Sequence, residues 1–221
     1  MPHPSSRFTY LFLFIISIAL LLRLLFLGRG DVIGDESILG FRAIGPLDFD
    51  AAAAQTTPLQ WYDGAISGWT SLSWHDHPPL NFWLQHASMS VFGENRFGIR
   101  FPSAFFGVGS LLLLYAIGAV LFTPSVGLFA AGILAVTVNH VFISRVGLQE
   151  GPLIFFMLLS IYGFLRGLRS PRFFLLAGAG LGLALLIKYT AGVLIPFFLL
   201  YLFIFNRNSF KRPSLWLGVF L

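Results

Sequence analysis

Charge is what this chain has least of. Only 10% of its 221 residues are Asp, Glu, Lys or Arg, 57% are hydrophobic, and the mean hydropathy is +0.82. A soluble domain carries roughly 25% charged residues. So few charges cannot coat a water-facing surface of this size, and the apolar excess calls for lipid. Cysteine is absent altogether, which excludes disulfides, thiolate metal sites and a cysteine nucleophile. No phosphate-gripping glycine–lysine loop and no dinucleotide glycine fingerprint are present, which argues against a nucleotide site. Internal repeats and low-complexity linkers are missing too, apart from the short run 51–54.

Acidic residues are scarcer still, and their placement is informative. Eight of the nine lie between Asp31 and Glu94; the ninth, Glu150, stands near Arg145 at the mouth of an apolar run. Ionisable groups beside hydrocarbon are costly and are usually kept for function. The net charge of +5 could suggest nucleic acid, but the basic residues are scattered at segment ends rather than gathered in one patch. They read as topological signals.

The expected fold is all-α: a polytopic transmembrane bundle with a large first extracytoplasmic loop carrying interfacial helices. Apolar runs place spans at about 8–27, 99–122, 125–143, 151–168, 173–187 and 190–205, with a further one starting at 215–221. The first is read as a retained span because no small-residue cleavage site follows it. All belong to one membrane domain, 1–221, expected to be the N-terminal part of a longer enzyme. With the N-terminus inside, the cytoplasmic face receives Arg7, the Arg166/Arg169/Arg172 cluster and Arg207/Lys211/Arg212, and no acid. The outer face receives loop 28–98, the turn 144–150 and Lys188. Within the loop, 35–44 and 80–92 have the pattern of interfacial helices, and Trp61, Tyr62, Trp69, Trp74 and Trp83 add interfacial aromatics.

Five polar constellations fall on this outer side. Asp35-Glu36 follows the first span; it suits a carboxylate base, and equally a helix start with acids in its first turn. His75-Asp76-His77, ahead of Pro78-Pro79, could ligate a metal, contact an anion through His77, or form a plain polar turn. Arg96 and Arg100, four apart, could clamp a phosphate or anchor a helix end. Arg145 and Glu150 could meet substrate or pair with each other. Lys188 divides two short apolar segments as a contact or an anchor. His86 and His140 have no supporting neighbours and read as packing residues, and Gly178, Gly180 and Gly182 as close helix contacts.

The order of these features resembles a known family. The first span, Asp35-Glu36, the amphipathic segment, His77-Pro78-Pro79-Leu80, Phe97-Gly98-x-Arg100-x-Pro102, Ser144-Arg145…Glu150-Gly151-Pro152 and Lys188-Tyr189 together resemble the start of GT-C type polytopic glycosyltransferases, in the dolichyl-phosphate-mannose protein mannosyltransferase and aminoarabinose transferase superfamily. The resemblance implies transfer of a sugar, mannose-like or another hexose or pentose, from a polyprenyl-phosphate carrier to an acceptor hydroxyl on a protein, lipid or glycan. It implies an inverting single displacement at the extracytoplasmic face of the plasma or inner membrane. Asp35 matches the base, Glu36 its partner and Glu150 a second acid. Arg100 matches an arginine important in the mannosyltransferases. Arg100, Arg96, Arg145, Lys188 and His77 are the candidates for the carrier phosphate, His77 standing where the aminoarabinose enzymes have lysine. No cofactor is required on this reading, a divalent metal is left open, and nucleic acid is not a partner. The rival readings are a transporter or flippase of lipid-linked sugars and a non-catalytic subunit that binds the carrier lipid. A transporter should carry ionisable residues near mid-membrane, whereas those of the second to fourth spans lie at the ends.

Overall fold

The structure, a computed structural model, describes residues 6–44 and 78–219, the side chain of Arg42 excepted. The loop tryptophans 61, 69 and 74, Tyr62 and the His75-Asp76-His77 triplet therefore lie outside the described residues. Among the described residues every regular element is helical, in keeping with an all-α membrane protein. Three helices are long and apolar enough to cross a membrane: α1 (Ser6–Leu24), α4 (Arg96–Leu121) and α7 (Glu150–Arg169). Between α1 and α4 come two short helices, α2 (Gly34–Ile44) and α3 (Leu80–Phe92). After α4 follow α5 (Pro124–Val136), α6 (Val138–Ile143), α7, α8 (Phe173–Ile187), a 3-10 turn Tyr189–Val193, α9 (Leu194–Phe205), a second 3-10 turn Arg207–Lys211 and α10 (Pro213–Val219).

Local chemistry sets most of these boundaries. Gly93, at φ 88°, ends α3 in a conformation that disfavours side chains with a Cβ. Two residues later Asn95 opens α4, its Oδ1 accepting from the N–H groups of Phe97 (2.9 Å) and Gly98 (3.1 Å). Thr123 caps α5 through Oγ1, and Pro124 occupies the first turn, where its missing N–H costs nothing. The extended backbone at Lys188 separates α8 from the 3-10 turn.

One expected span is built from two helices. Residues 125–143 do not form one helix, because Thr137 adopts an extended backbone (φ −63°, ψ 116°) between α5 and α6. The break frees carbonyls at the end of α5, and α1 supplies what satisfies them. Arg23, fully buried, donates to the carbonyls of Ala135 (3.1 Å) and Leu134 (3.2 Å) and to His140 Nδ1 (2.8 Å). A cation at a helix C-terminus also meets the negative end of its dipole. His140, read as a packing residue, is thus an acceptor for a buried guanidinium.

α4 runs antiparallel to α1, α5 and α6 return alongside α4, and α7 then runs parallel to α4 and antiparallel to α8. The end of α1, the start of α4, the α6–α7 turn and the end of α8 therefore lie at one end of the bundle. At the other end the two basic clusters come together, Arg212 reaching the carbonyl of Gly167 (3.4 Å). The α7–α8 pair packs most closely. A Cβ on Gly163 would stand 2.5 Å from Ala177 N, and Ser160 Oγ donates to the Ala177 carbonyl at 2.8 Å. Small residues at such a crossing let two backbones meet.

Gly163→Val should therefore lower stability by about 1–3 kcal/mol, the usual cost of overpacking. Gly192→Ala, where the nearest atom is 3.7 Å away, should leave it unchanged. Unfolding of the two variants in mild detergent checks the contrast.

Candidate active site

The polar end of the bundle is organised by one buried carboxylate, Glu36, in the first turn of α2. Its Oε2 reaches back to the Ile33 N–H (3.3 Å), half of a capping box. Both oxygens take the Arg100 guanidinium side-on: Nε to Oε1 at 2.6 Å and Nη2 to Oε2 at 2.9 Å. Oε1 also accepts from the Gly147 N–H (2.8 Å), which ties in the turn before α7. Arg100 completes the junction by donating to the carbonyls of Leu27 (3.1 Å), Arg29 (2.7 Å) and Asp31 (2.7 Å). All five of its N–H groups are engaged.

This geometry corrects the expected arginine clamp. Arg96 is exposed at the start of α4, while Arg100 is buried and turned inward, so the two do not present a common face. In this arrangement Arg100 has no N–H left for a phosphate, and Glu36 has no oxygen outside the junction. Arg145 is also tethered, donating to the Leu22 carbonyl at the end of α1 (2.7 Å). His77 and the 75–77 triplet lie outside the described residues, as candidates for phosphate and metal alike. Among the described residues no three of His, Asp and Glu gather as a metal site would require.

What the junction positions is the residue beside it. Asp35, next to Glu36 on α2, is exposed and takes no hydrogen bond or ion pair among the described residues. It lines a cavity of about 160 Å³ with Ile38, Leu39, Leu148, Gln149, Glu150 and Lys188. Glu150 and Lys188 meet across it at 2.9 Å, each about one-third exposed. Asp35 and Glu150, separated by 115 positions (150 − 35), thus face one space.

The turn carrying Gln149 and Glu150 is clamped from several sides. Gln85 on α3 donates to the Gly147 carbonyl (2.8 Å) and to that of Ile99 (3.4 Å), and Asn81 supports Gln85 (3.3 Å). Ser103 on α4 donates to the Leu148 carbonyl (2.9 Å). A Cβ on Gly147 would run into Ile99 Cγ2 and stand 3.2 Å from both Glu36 Cγ and Gln85 Nε2, so the close approach favours glycine. Sequence reasoning missed Gln85, Ser103 and Gly147 because each acts on a backbone far away in the chain. It also left Gln149 without a role. That side chain is only 3% exposed and lines the cavity, yet its Nε2 has no hydrogen-bond partner. A buried donor left this way costs about 1–3 kcal/mol.

Residues 76–221 match the family described as dolichyl-phosphate-mannose-protein mannosyltransferase. The chain belongs to that family. Among similar proteins are two from Bacillus subtilis (strain 168) named "Putative mannosyltransferase": YycA, 32% identical over 140 residues, and YkcB, 27% identical over 143. Each alignment covers 62% of this chain and 20% of the relative. An uncharacterized protein of Aquifex aeolicus (strain VF5) is 31% identical over 123 residues, 54% of this chain and 24% of its own length. The chain thus spans about a fifth of the curated mannosyltransferase relatives it matches. No solved structure matches. The family match takes in α3 to α10, hence Gln149, Glu150, Lys188 and Arg100; Asp35 and Glu36 lie ahead of it.

Breaking the Glu36–Arg100 pair from either side should destabilise by about 3–5 kcal/mol, because a buried charge is left uncompensated. Glu36→Gln and Arg100→Met should each lower the unfolding midpoint strongly. The double variant should lose clearly less than the sum of the two. Additive losses in that double-mutant cycle would contradict the coupling.

Proposed function

We propose that this protein is a membrane glycosyltransferase that takes a sugar, mannose-like by its family, from a polyprenyl-phosphate carrier. It transfers the sugar to an acceptor hydroxyl on the extracytoplasmic face. The observation that carries the reading is the shared cavity: Asp35, a carboxylate with no partner among the described residues, faces the Glu150–Lys188 pair at one end of an apolar bundle. Asp35 draws the proton from the acceptor hydroxyl, whose oxygen attacks the anomeric carbon. The new carbon–oxygen bond forms as the bond to the carrier phosphate breaks on the opposite face, so the configuration inverts. Charge grows on the departing phosphate, and a cation held at the site stabilises it. Lys188 suits that part, kept in place by Glu150 until phosphate competes for it. Glu36 and Arg100 serve as the frame that holds Asp35, rather than as partners in the chemistry.

A second cavity supports a lipid-linked donor. About 730 Å³ of space lies among α7, α8, α9 and α10, lined by residues such as Phe164, Leu181, Leu185, Tyr189, Phe198 and Leu202. Its lining reaches Leu185, Leu186 and Tyr189, the chain neighbours of Lys188. An isoprenoid tail in the apolar space would bring its phosphate to the lysine. A nucleotide sugar would gain nothing from such a neighbour.

Asp35→Asn should reduce transfer from radiolabelled polyprenyl-phosphate mannose by about 10²- to 10⁴-fold, the usual contribution of a general base. Membrane insertion and unfolding temperature should stay unchanged. Transfer at the wild-type rate would remove Asp35 as the base. Translocation of the labelled lipid without a covalent product would favour a transporter instead.

A further inference from the structure

We infer that the Gln149 amide is the sugar-recognition group of this cavity, donating a hydrogen bond to a ring hydroxyl of the glycosyl unit on the carrier. The inference rests on the proposed function and names a contact within its site. Three observations converge on it. Gln149 is 3% exposed, and its Nε2, which water does not reach, has no hydrogen-bond partner among the described residues although nearly every buried amide finds one, so a turn of the amide about its last side-chain bond presents the N–H to a ligand. It lines the cavity together with Asp35 and Glu150. Its backbone is pinned on both sides: Ser103 holds the Leu148 carbonyl, and the Gln149 carbonyl accepts the Leu153 N–H (3.0 Å) in the first turn of α7. The amide is thus presented from a fixed main chain rather than from a mobile loop.

Beside the carboxylates, the chemistry of the lining suits a hydroxyl. Lys188 takes the phosphate on its side of the cavity, whereas Asp35 and Glu150 accept hydrogen bonds from hydroxyl protons. The amide N–H of Gln149 supplies what carboxylates lack, a donor to the hydroxyl oxygen. A space of 160 Å³ equals about five waters' share of liquid volume, on the scale of one sugar ring. A site built to bond a hydroxyl discriminates strongly against an analogue lacking it, because its own polar group is then left unpaired.

The test is equilibrium binding to the full chain in lipid nanodiscs. Affinities for polyprenyl-phosphate mannose, its four monodeoxy analogues and bare polyprenyl phosphate are measured for wild type, Gln149→Met and Gln149→Glu. Wild type should prefer the mannosylated carrier over the bare one by about tenfold or more. Both variants should lose most of that preference while binding the bare carrier unchanged. One deoxy analogue should bind weakly to wild type and incur no further loss in Gln149→Met. Because the amide bonds nothing in the protein, Gln149→Met should not lower the unfolding temperature. A variant that keeps the full preference, or one that unfolds early, overturns the inference and makes Gln149 a structural or water-holding residue. Sugar preference carried by Gln149 in a protein that transfers nothing would sink the proposed reaction and leave the sugar site standing. Normal transfer with an unaltered preference in Gln149→Met would do the reverse.

Discussion

The candidate active end of this molecule depends on a bidentate ion pair taken out of water. Glu36 and Arg100 lie 64 positions apart, and their contact gathers α2, α4, the chain leaving α1 and the turn entering α7. An ion pair of this kind offsets its desolvation only when every remaining lone pair and proton is used. Here they are: three carbonyls take the spare guanidinium protons, and two backbone N–H groups take the carboxylate. The arrangement is directional, so it fixes where Asp35 stands relative to Glu150 in a way that hydrophobic contact alone does not.

Charged and polar groups at this end divide by whether their bonds are complete. Glu36, Arg100 and Gln85 have partners within the protein and hold elements together. Among the described residues Asp35 and Gln149 do not, and Glu150 and Lys188 have only each other, about one-third open to solvent. Incomplete bonding at a buried or half-buried position is destabilising in the empty protein, and a ligand that completes it gains that free energy on binding. The same division accounts for the order of roles proposed here: frame beside base, cation beside lipid cavity, amide beside sugar.

Much of this was legible along the chain because it is local or periodic. Helix α8 falls at 173–187 and α3 at 80–92, the ranges that hydropathy, Lys188 and the prolines imply. The acid-bearing end was legible too, since lipid tolerates few charges and the basic clusters mark the opposite end. Arg96 and Arg100 were not separable in this way. Both are arginines in the first turns of one helix, and only burial tells the capping-end residue from the one in the core. Arg23 was equally opaque, because its use depends on carbonyls that the break at Thr137 exposes 111 and 112 positions later.

The sequence by itself determined that the chain is an all-helical membrane protein, which of its segments are apolar helices, and that the acids among the described residues lie toward one end. Composition and periodicity suffice for that, since they act through solvent and neighbouring turns. Only the tertiary structure decided which charges are bonded within the fold and which face a cavity. It buried Glu36 and Arg100, left Asp35 open beside them, and brought Gln149, Glu150 and Lys188 to the same space. A side chain's chemical availability depends on the partners that folding brings within hydrogen-bond distance, and those partners come from anywhere in the chain.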